Sequence, residues 1–392
     1  MALGARDAAP LDVEIRQGRV VAFHPHGSSA HDCTRVINLA GKLILPGLIN
    51  AHDHLEFALF PRLGSKHYSN ARAWARDIYR PEETPIREHL RIPKSERLLW
   101  GGLKNLLGGV TTVCHHNPYE LVFDEEFPVR VVKRFGWAHS LDFSEDIGER
   151  FRSTPRDEPF IVHLGEGTDA AARDEVFELD RLGGLDERTV LVHAVALDSR
   201  GLARVRECGA SIVWCPSSNL FLLGRTLAPG ALDSGIPVAL ATDSSISCEG
   251  TLFHEIRKAR EISGLSVERL YSMVTGTAAQ ILRLTGGEGV LREGGIADLL
   301  AVPDRGLTPA DTLAGLASDD VDLVMTGGEI KLLSEQFAGQ MSDLAEKPLG
   351  RVVVDGRPVW VSGINPSRLL ASARGALGET TAIRLGGRIV EA

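Results

Sequence analysis

The stretch that decides the fold runs from Leu43 to Glu56 and reads LILPGLINAHDHLE. It begins as an apolar run, which is typical of a buried strand. Because side chains alternate along a strand, His52 and His54 project from the same face into one cavity. Two imidazoles on one face suit a zinc-like ion. An isolated pair of this kind is at least as often a polar rim, so its interpretation depends on the rest of the chain.

The chain beyond this stretch alternates short runs rich in Val and Ile with longer stretches of helical periodicity, as successive parallel βα units do. The pattern predicts seven strands, at 43–51, 110–116, 129–140, 159–165, 189–196, 210–216 and 236–243. It predicts helices between them, at 95–107, 170–182, 199–208, 251–262 and 267–284. A closed barrel of this kind has eight strands in about 250 residues. We therefore expect an α/β fold containing a distorted TIM-like (β/α) barrel, with its missing unit between Leu141 and Glu158.

The two ends of the chain carry a different signature, that of β-hairpins. Residues 13–21 predict a hairpin that turns at Gly18, and 351–361 repeat the pattern around Asp355 and Gly356. Asp-Gly between apolar strands is a strong hairpin signal. Short strands at 297–302 and 323–325 complete this set.

These hairpins predict a second, smaller domain assembled from both ends of the chain. We expect residues 1–45 and 290–365 to form a discontinuous β-sandwich domain beside a barrel at 46–289. The segment 366–392 receives no role.

Three further apolar strands end in ionisable side chains. The strand at 159–165 carries His163 and is followed by Glu166, while the later strands end in His193 and Asp243. Alone, His163 would more often be a satisfied core histidine. In barrels of parallel strands, however, active sites are built at the C-terminal ends of the strands. The combination with His52 and His54 therefore predicts a metal site at one rim, with Glu166 positioned to move protons.

At these motifs the chain resembles the amidohydrolase superfamily, in particular its mononuclear aminohydrolase branch, which includes guanine deaminase, adenosylhomocysteine deaminase and the triazine hydrolases. The resemblance covers nearly the whole chain. Its matching segments are residues 46–54, 109–113, 163–166, 193–194, 215–219, 242–244 and 294–299.

The resemblance implies a role for each of these side chains. The implied metal ligands are His52, His54, His163 and Asp243, and the implied catalytic residues are Glu166, His193 and Asp243. A bound Zn²⁺ lowers the pKa of its water to about 7; Asp243 or Glu166 can take that proton, and Glu166 can protonate the departing nitrogen. His193 is expected beside the substrate, where it can stabilise developing charge, although direct contact with the metal stays open.

The number and kind of ions follow from the same motifs. Binuclear relatives carry a bridging lysine at a strand end, whereas Lys133 is expected in the middle of a strand. We therefore expect one divalent ion, Zn²⁺ rather than Fe²⁺. The expected reaction is hydrolysis of a C–N bond other than a peptide bond, foremost deamination of a small heterocycle. An amide, lactam or amidine hydrolase, or a catalytically silent relative, stays an alternative.

Some candidate residues have no single interpretation. His115 and His116 could contact the substrate or a second ion, or could serve only as hydrogen-bonding groups. Loop 60–94 could bind an anionic or aromatic substrate as a lid, or could be a solvated cover of the barrel mouth. Its candidate side chains are Arg62, His67, Tyr68, Trp74 and Arg80.

The composition of the chain limits which binding partners are expected. Its 43 Lys and Arg residues face 52 Asp and Glu residues, for a net charge of −9 without a basic cluster, so nucleic acid is not an expected partner. The chain has neither a signal-peptide pattern nor about eighteen consecutive apolar residues, so no membrane association is expected. Five scattered cysteines suit a reduced compartment, which predicts a cytoplasmic enzyme of a small-molecule substrate. A homo-oligomer stays open.

Overall fold

The N-terminal part of the chain forms a hairpin and one strand that joins a distant sheet. The computed structural model describes residues 1–28, 35–65, 67–341 and 348–391. Its first strands are β1 (Leu11–Arg16), β2 (Arg19–Pro25) and β3 (Lys42–Pro46). Strands β1 and β2 pair antiparallel around Gly18, whose φ of 75° is one that glycine adopts without strain, so the predicted hairpin is confirmed.

Eight parallel strands follow among the described residues in the middle of the chain. They are β4 (Leu48–Asp53), β5 (Val110–His115), β6 (Arg130–Val131), β7 (Gly136–Ser140), β8 (Phe160–Leu164), β9 (Thr189–His193), β10 (Ser211–Trp214) and β11 (Val238–Leu240). Strands β4 to β6 form one parallel sheet and β7 to β11 form a second. Except in β6 and β7, every residue of these strands is buried, because helices cover them outside and side chains fill the space inside.

Eleven α-helices lie between and after these strands in the part of the chain that the structure describes. They are α1 (Ala71–Ile78), α2 (Ile86–Leu90), α3 (Lys94–Leu107), α4 (Ile147–Ser153), α5 (Ala170–Arg181), α6 (Ser199–Glu207), α7 (Pro216–Leu223), α8 (Pro229–Leu232), α9 (Leu252–Ser263), α10 (Val267–Met273) and α11 (Gly276–Ile281). Asp169 and Asp198 cap α5 and α6, since each carboxylate accepts hydrogen bonds from backbone N–H groups of the first turn.

The prediction of a single strand over 129–140 is wrong. Strand β6 ends at Val131 and β7 begins at Gly136 in the other sheet, with the exposed Lys133 between them. The break falls at the adjacent charged residues Lys133 and Arg134, which the prediction of one strand passed over because both flanks are apolar. The split supplies the eighth strand, and the segment 141–158, where a missing unit was expected, instead carries α4. Lys133, expected in mid-strand, pairs with Asp124 at the surface.

The prediction of one helix over 267–284 is also wrong, because the segment divides into α10 and α11. At the break, the Val274 carbonyl accepts a hydrogen bond from Ile49 N of β4 at 2.9 Å. The Thr275 hydroxyl donates to the Tyr271 carbonyl at 2.6 Å, within the last turn of α10. The Val274 carbonyl is therefore bonded to β4, whereas in a continuous helix it would accept from the N–H four residues later.

The two parallel sheets approach each other at β4 and β11. Asp243 N donates to the His52 carbonyl at 3.2 Å, and Thr242 N donates to Asn50 Oδ1 at 3.1 Å. Among the described residues no ladder of strand hydrogen bonds joins the two sheets. Side chains from both sheets nevertheless pack into one small inner core, which contains Ile49, Ala51, Cys114, Ile161, Val190, Val192, Val213 and Ala239.

The C-terminal part of the chain is mainly antiparallel. It contains β12 (Leu299–Pro303), α12 (Pro309–Ala314), β13 (Leu323–Thr326), β14 (Glu329–Ser334), α13 (Glu335–Met341), β15 (Gly350–Val354), β16 (Arg357–Val361), α14 (Pro366–Leu377), β17 (Arg384–Leu385) and β18 (Arg388–Glu391). One sheet has the order β17-β18-β15-β16-β14-β13-β12-β3, so both ends of the chain meet in it. The hairpin predicted around Asp355 and Gly356 is confirmed as β15 and β16.

Two further expectations concern the whole chain. Of the cysteines, Cys114, Cys208, Cys215 and Cys248 are free thiols, and Cys33 lies outside the described residues. Searched over the described ranges, no helix has the length and apolar character needed to cross a membrane.

Candidate metal centre

Four side chains that the sequence singled out meet at the C-terminal ends of the parallel strands. The Nε2 atom of His163 lies 3.2 Å from that of His52 and 3.3 Å from that of His54. Asp243 Oδ1 lies 3.5 Å from His52 Nε2 and 3.8 Å from His54 Nε2. All four residues are buried. Strands β4 and β8 and the loop after β11 therefore bring His52, His54, His163 and Asp243 into one cluster.

These donors fit a divalent cation. Burial lowers the pKa of each of the three imidazoles, which favours their neutral forms. His163 Nδ1 lies 2.7 Å from the His139 carbonyl and must donate to it, so His163 Nε2 carries a lone pair directed at its neighbours. Converging lone pairs repel one another unless a cation or a proton lies between them. Neutral imidazoles with one carboxylate are ligands that Zn²⁺ and similar ions accept.

Asp243 is held as an anion by its surroundings. Its Oδ2 accepts hydrogen bonds from the hydroxyls of Ser218 and Ser247 at 2.6 and 2.9 Å. Burial opposes ionisation, but the neighbouring imidazoles, foremost His52, hold the pKa of Asp243 well below its usual range. Oδ1 is left facing the histidines.

The backbone is strained at two of the site residues. His193 has a φ of 76° and Asp243 a φ of 59°, in the left-handed region that residues other than glycine rarely adopt. Such strain costs on the order of 1–3 kcal/mol and persists where the surroundings impose it, often at functional sites. At Asp243, the hydrogen bond from its N–H to the His52 carbonyl fixes this conformation.

Glu166 and His193 lie together at the edge of the cluster. Glu166 Oε1 is 3.5 Å from His193 Nε2, and His193 Nδ1 is 2.8 Å from Asn219 Oδ1. Burial raises the pKa of Glu166 to about 7, against the opposing effect of His193. A carboxyl group with this pKa can both accept and release a proton near neutral pH. One ligand atom of His193 also lies within 4.8 Å of those of His52 and Asp243, so metal contact by His193 stays open.

Serine and asparagine side chains after β10 do more than brace their loop. Ser218 and Asn219 lie in the first turn of α7, from which Ser218 contacts Asp243 and Asn219 contacts His193. Glu255 of α9 anchors this turn by accepting a hydrogen bond from Ser217 N at 3.0 Å. The motif at 215–219 was visible in the sequence, whereas its partners were not.

Asp53 points away from the cluster, as strand alternation predicts, into a network that the sequence did not reveal. Lys104 Nζ lies 3.0 Å from Asp53 Oδ2, and both side chains are almost completely buried. Asn105 and Thr242 also donate to this carboxylate, at 2.8 and 3.2 Å. Lys104 lies on α3, far from Asp53 in the sequence, and no local pattern marks it as a partner.

The two histidines at the C-terminal end of β5, His115 and His116, differ in their surroundings. His115 turns toward Glu56, with His115 Nε2 3.7 Å from Glu56 Oε2. Glu56 is buried, and its carboxylate accepts a hydrogen bond from Asn117 at 2.6 Å. His116 instead enters the cluster, with one ligand atom within 4.8 Å of those of His52, His54 and His163.

Segment 60–94 crosses the mouth of the site and carries α1 and α2, so it is more ordered than the expected loop. It reaches Glu166 directly, since Ala71 N donates to the Glu166 carbonyl at 2.9 Å. The candidate lid residues have partners elsewhere: Arg62 pairs with Glu249, Tyr68 donates to Asp77, Trp74 to the Leu63 carbonyl, Arg80 to the Arg76 carbonyl, and His67 lies against Gly224.

Comparison with known proteins agrees with this geometry. The model of the Amidohydrolase family matches residues 156–331, which include His163, Glu166, His193 and Asp243. A 5-methylthioadenosine/S-adenosylhomocysteine deaminase from Syntrophobacter fumaroxidans is 27% identical over 361 residues, covering 76% of this chain and 80% of the relative. The chain is therefore similar to amidohydrolases over the segment that carries four of the predicted site residues.

Solved structures extend the likeness of this chain to the whole fold. A zinc-bound adenosine deaminase from Xanthomonas campestris superposes with a TM-score of 0.67 at 19% identity, covering 94% of this chain and 93% of the other. An atrazine chlorohydrolase from Arthrobacter aurescens, complexed with zinc, superposes with a TM-score of 0.69 at 19% identity, covering 94% and 95%. At such identities the likeness establishes a shared mixed α/β fold.

Proposed function

We propose that this chain is a metal-dependent amidohydrolase and, within that family, a deaminase, which hydrolyses the bond between a small heterocycle and its exocyclic amino group. The observation that carries the proposal is the convergence of three imidazole Nε2 atoms and the Asp243 carboxylate beside Glu166. A purely structural cluster would direct hydrogen-bond donors at these acceptors, as the network around Asp53 does.

In this proposal His52, His54, His163 and Asp243 hold one divalent cation, with Zn²⁺ preferred over Fe²⁺. When bound, such a cation supplies a hydroxide-like nucleophile at neutral pH and polarises the group under attack. Imidazole ligands suit both metals, so the preference for zinc rests on the resemblance and on the zinc-bound relatives.

Two residues move protons in the proposed reaction. Glu166 takes a proton from the attacking water and delivers one to the departing amine nitrogen, which its pKa of about 7 permits in both directions. His193, when protonated, donates from Nε2 to the charge that develops on the substrate ring. Asn219 fixes the His193 ring through Nδ1, so that Nε2 faces Glu166.

The proposal extends to the architecture around the site. We propose that strands β4 to β11 act as one distorted barrel, residues 46–289, whose rim carries the site. Residues 1–45 and 290–365 would form the second, smaller β-sandwich domain. In support, β3, which precedes the barrel strands in the sequence, pairs with β12, which follows them. For residues 366–392 we propose an extension of that domain, since β18 pairs with β15 at the edge of the sheet.

The substrate class is tested by ammonia release. The panel contains adenosine, 5′-deoxyadenosine, 5-methylthioadenosine, S-adenosylhomocysteine, 5-methylcytosine and amino-triazines, because relatives carry such names. Metal-loaded protein should release ammonia from at least one of them, and protein treated with a chelator should not. Ammonia from none, but hydrolysis of an amide, lactam or amidine, would move the activity to the alternative class. Absence of both, in protein with one metal ion per chain, would indicate a catalytically silent relative.

A further inference from the structure

His116 is a buried imidazole beside the proposed metal site for which the proposed function has no role. It follows β5 directly, and its side chain is inaccessible to solvent. Its Nε2 lies 3.0 Å from the Ala138 carbonyl. Because a carbonyl oxygen can only accept, Nε2 must carry the hydrogen, and Nδ1 of the neutral ring then carries the lone pair.

That lone pair has no hydrogen-bond partner within the described structure. Nδ1 of His116 is buried and unpaired. A buried acceptor without a partner costs about 1–3 kcal/mol, and native structures rarely keep one without a reason. The ring lies over that of His163, with centroids 4.4 Å apart and planes 18° apart, and it meets His52 edge-on at 5.1 Å. Both of these neighbouring rings belong to proposed metal ligands.

We propose that His116 is a further ligand of the divalent cation, in addition to His52, His54, His163 and Asp243. Its ligand atom lies within 4.8 Å of those of the three other histidines. Two nitrogens on opposite sides of a zinc ion, at about 2.1 Å each, are about 4.2 Å apart. Because about 4.2 Å is the longest separation that two nitrogens on one zinc ion can have, metal binding would draw the His116 nitrogen toward the other three. The inference rests on the proposed metal site and adds a fourth imidazole to it.

His115 provides a matched control. It is the neighbouring residue, it is also buried, and its Nε2 is also unpaired. Its Nδ1, however, accepts from Leu55 N at 3.3 Å, and its Nε2 points to Glu56 rather than to the cluster. Replacing either histidine removes one buried imidazole, but only His116 offers a nitrogen to the cation.

The first test measures Zn²⁺ affinity by competition with a chromogenic chelator. His116→Phe keeps a ring that can stack on His163 but has no nitrogen. Loss of an outer-shell partner alone typically costs 10–100-fold in metal affinity, so His116→Phe should weaken Zn²⁺ binding at least about 100-fold. His115→Phe should bind Zn²⁺ as the wild type does. Wild-type affinity in His116→Phe would overturn the proposal, as would equal weakening in both variants.

The second test counts the ligands directly, so it does not depend on a change in affinity. X-ray absorption at the zinc edge of the loaded protein counts the imidazoles around the ion. Four in the wild type that fall to three in His116→Phe support the proposal, and four that stay four in His116→Phe overturn it, because His193 could supply the fourth imidazole. Three in the wild type overturn it while leaving the proposed metal site intact, and they would assign the His116 lone pair to substrate or water. A chain that binds no zinc at all would contradict the proposed function itself.

Discussion

Two consecutive residues of β4, His52 and Asp53, belong to two different groups of buried polar side chains. The groups differ in whether the chain itself supplies the hydrogen-bond partners. Asp53 lies in a network whose donors match its acceptors, because Lys104, Asn105 and Thr242 surround its carboxylate. His52, one residue earlier, has an unpaired Nδ1 and an Nε2 that faces other imidazoles and a carboxylate. The network is complete within the chain, whereas the cluster requires something from outside.

This difference separates a structural from a functional group better than burial does. Both groups are buried, and strand alternation alone sends them to opposite sides of β4. Buried polar groups are normally satisfied by their neighbours. We infer that Asp53 and Lys104 hold β4 against α3 and β11, while the histidines on the other side are kept for the ion.

The largest expected effect comes from Asp243→Ala, which removes the only carboxylate of the cluster. With the negative charge gone, the cluster should lose its cation, and turnover should fall by several orders of magnitude. Metal analysis of the purified variant checks this expectation. A variant that keeps one tightly bound ion per chain would contradict ligation by Asp243.

Glu166→Gln separates proton transfer from metal binding within the site, because it removes the proposed proton-transfer group but none of the proposed ligands. General acid–base catalysis contributes about 10²–10⁴-fold, so kcat should fall by that factor or more while metal content stays unchanged. Glu175→Gln is the control: burial also raises the pKa of Glu175 to about 7, but its carboxylate accepts from Gly165 N rather than facing the cluster. Near-normal kcat in Glu166→Gln would remove Glu166 from the mechanism.

Lys104→Met tests the hydrogen-bond network around Asp53. It leaves Asp53 as a buried charge without its cation, which typically costs 3–5 kcal/mol of unfolding free energy. Urea unfolding of the metal-free protein measures the loss, and the double variant with Asp53→Asn should recover part of it. Lys94→Met, which breaks the exposed pair with Glu120, should cost less than about 1 kcal/mol. Equal losses of unfolding free energy in Lys104→Met and Lys94→Met would contradict a structural role for the buried pair that the exposed pair lacks.

The smallest expected effect is a pH dependence from Glu255, which anchors α7 behind the site. Burial raises the pKa of Glu255 to about 7. The folded chain therefore holds a proton that the unfolded chain releases, and the contribution of Glu255 to stability falls as pH rises from about 5 to 7. The slope is at most about 1.4 kcal/mol per pH unit. The stability difference between wild type and Glu255→Gln should shrink over this range; a constant difference would rule out the shift.

Local patterns were sufficient to find the proposed ligands but not their supports. His52 and His54 follow from alternation at a strand end, and the other site residues follow from their positions at the ends of apolar strands. Lys104 could not be found in this way, because it reaches Asp53 only after α3 has packed on β4. The orientation of His116 likewise depends on the Ala138 carbonyl of β7, which belongs to the other sheet.

The errors in the fold have the same origin. The break between β6 and β7 falls at Lys133 and Arg134 between two apolar flanks that the prediction joined into one strand, and α10 ends where Ile49 N binds the Val274 carbonyl. Periodicity reports which face of a segment is buried. It does not report which sheet a strand joins, or which distant group takes a backbone carbonyl.

Titration of the chelator-treated chain with Zn²⁺ in a calorimeter, followed by thermal unfolding at each ratio, shows whether the histidine cluster needs a cation. Binding should saturate at one ion per chain, and Tm should rise up to that ratio, because the ion binds only the folded cluster. No saturable binding, with a Tm that zinc does not change, would mean that the histidine cluster is complete without a cation and would contradict the proposed metal site.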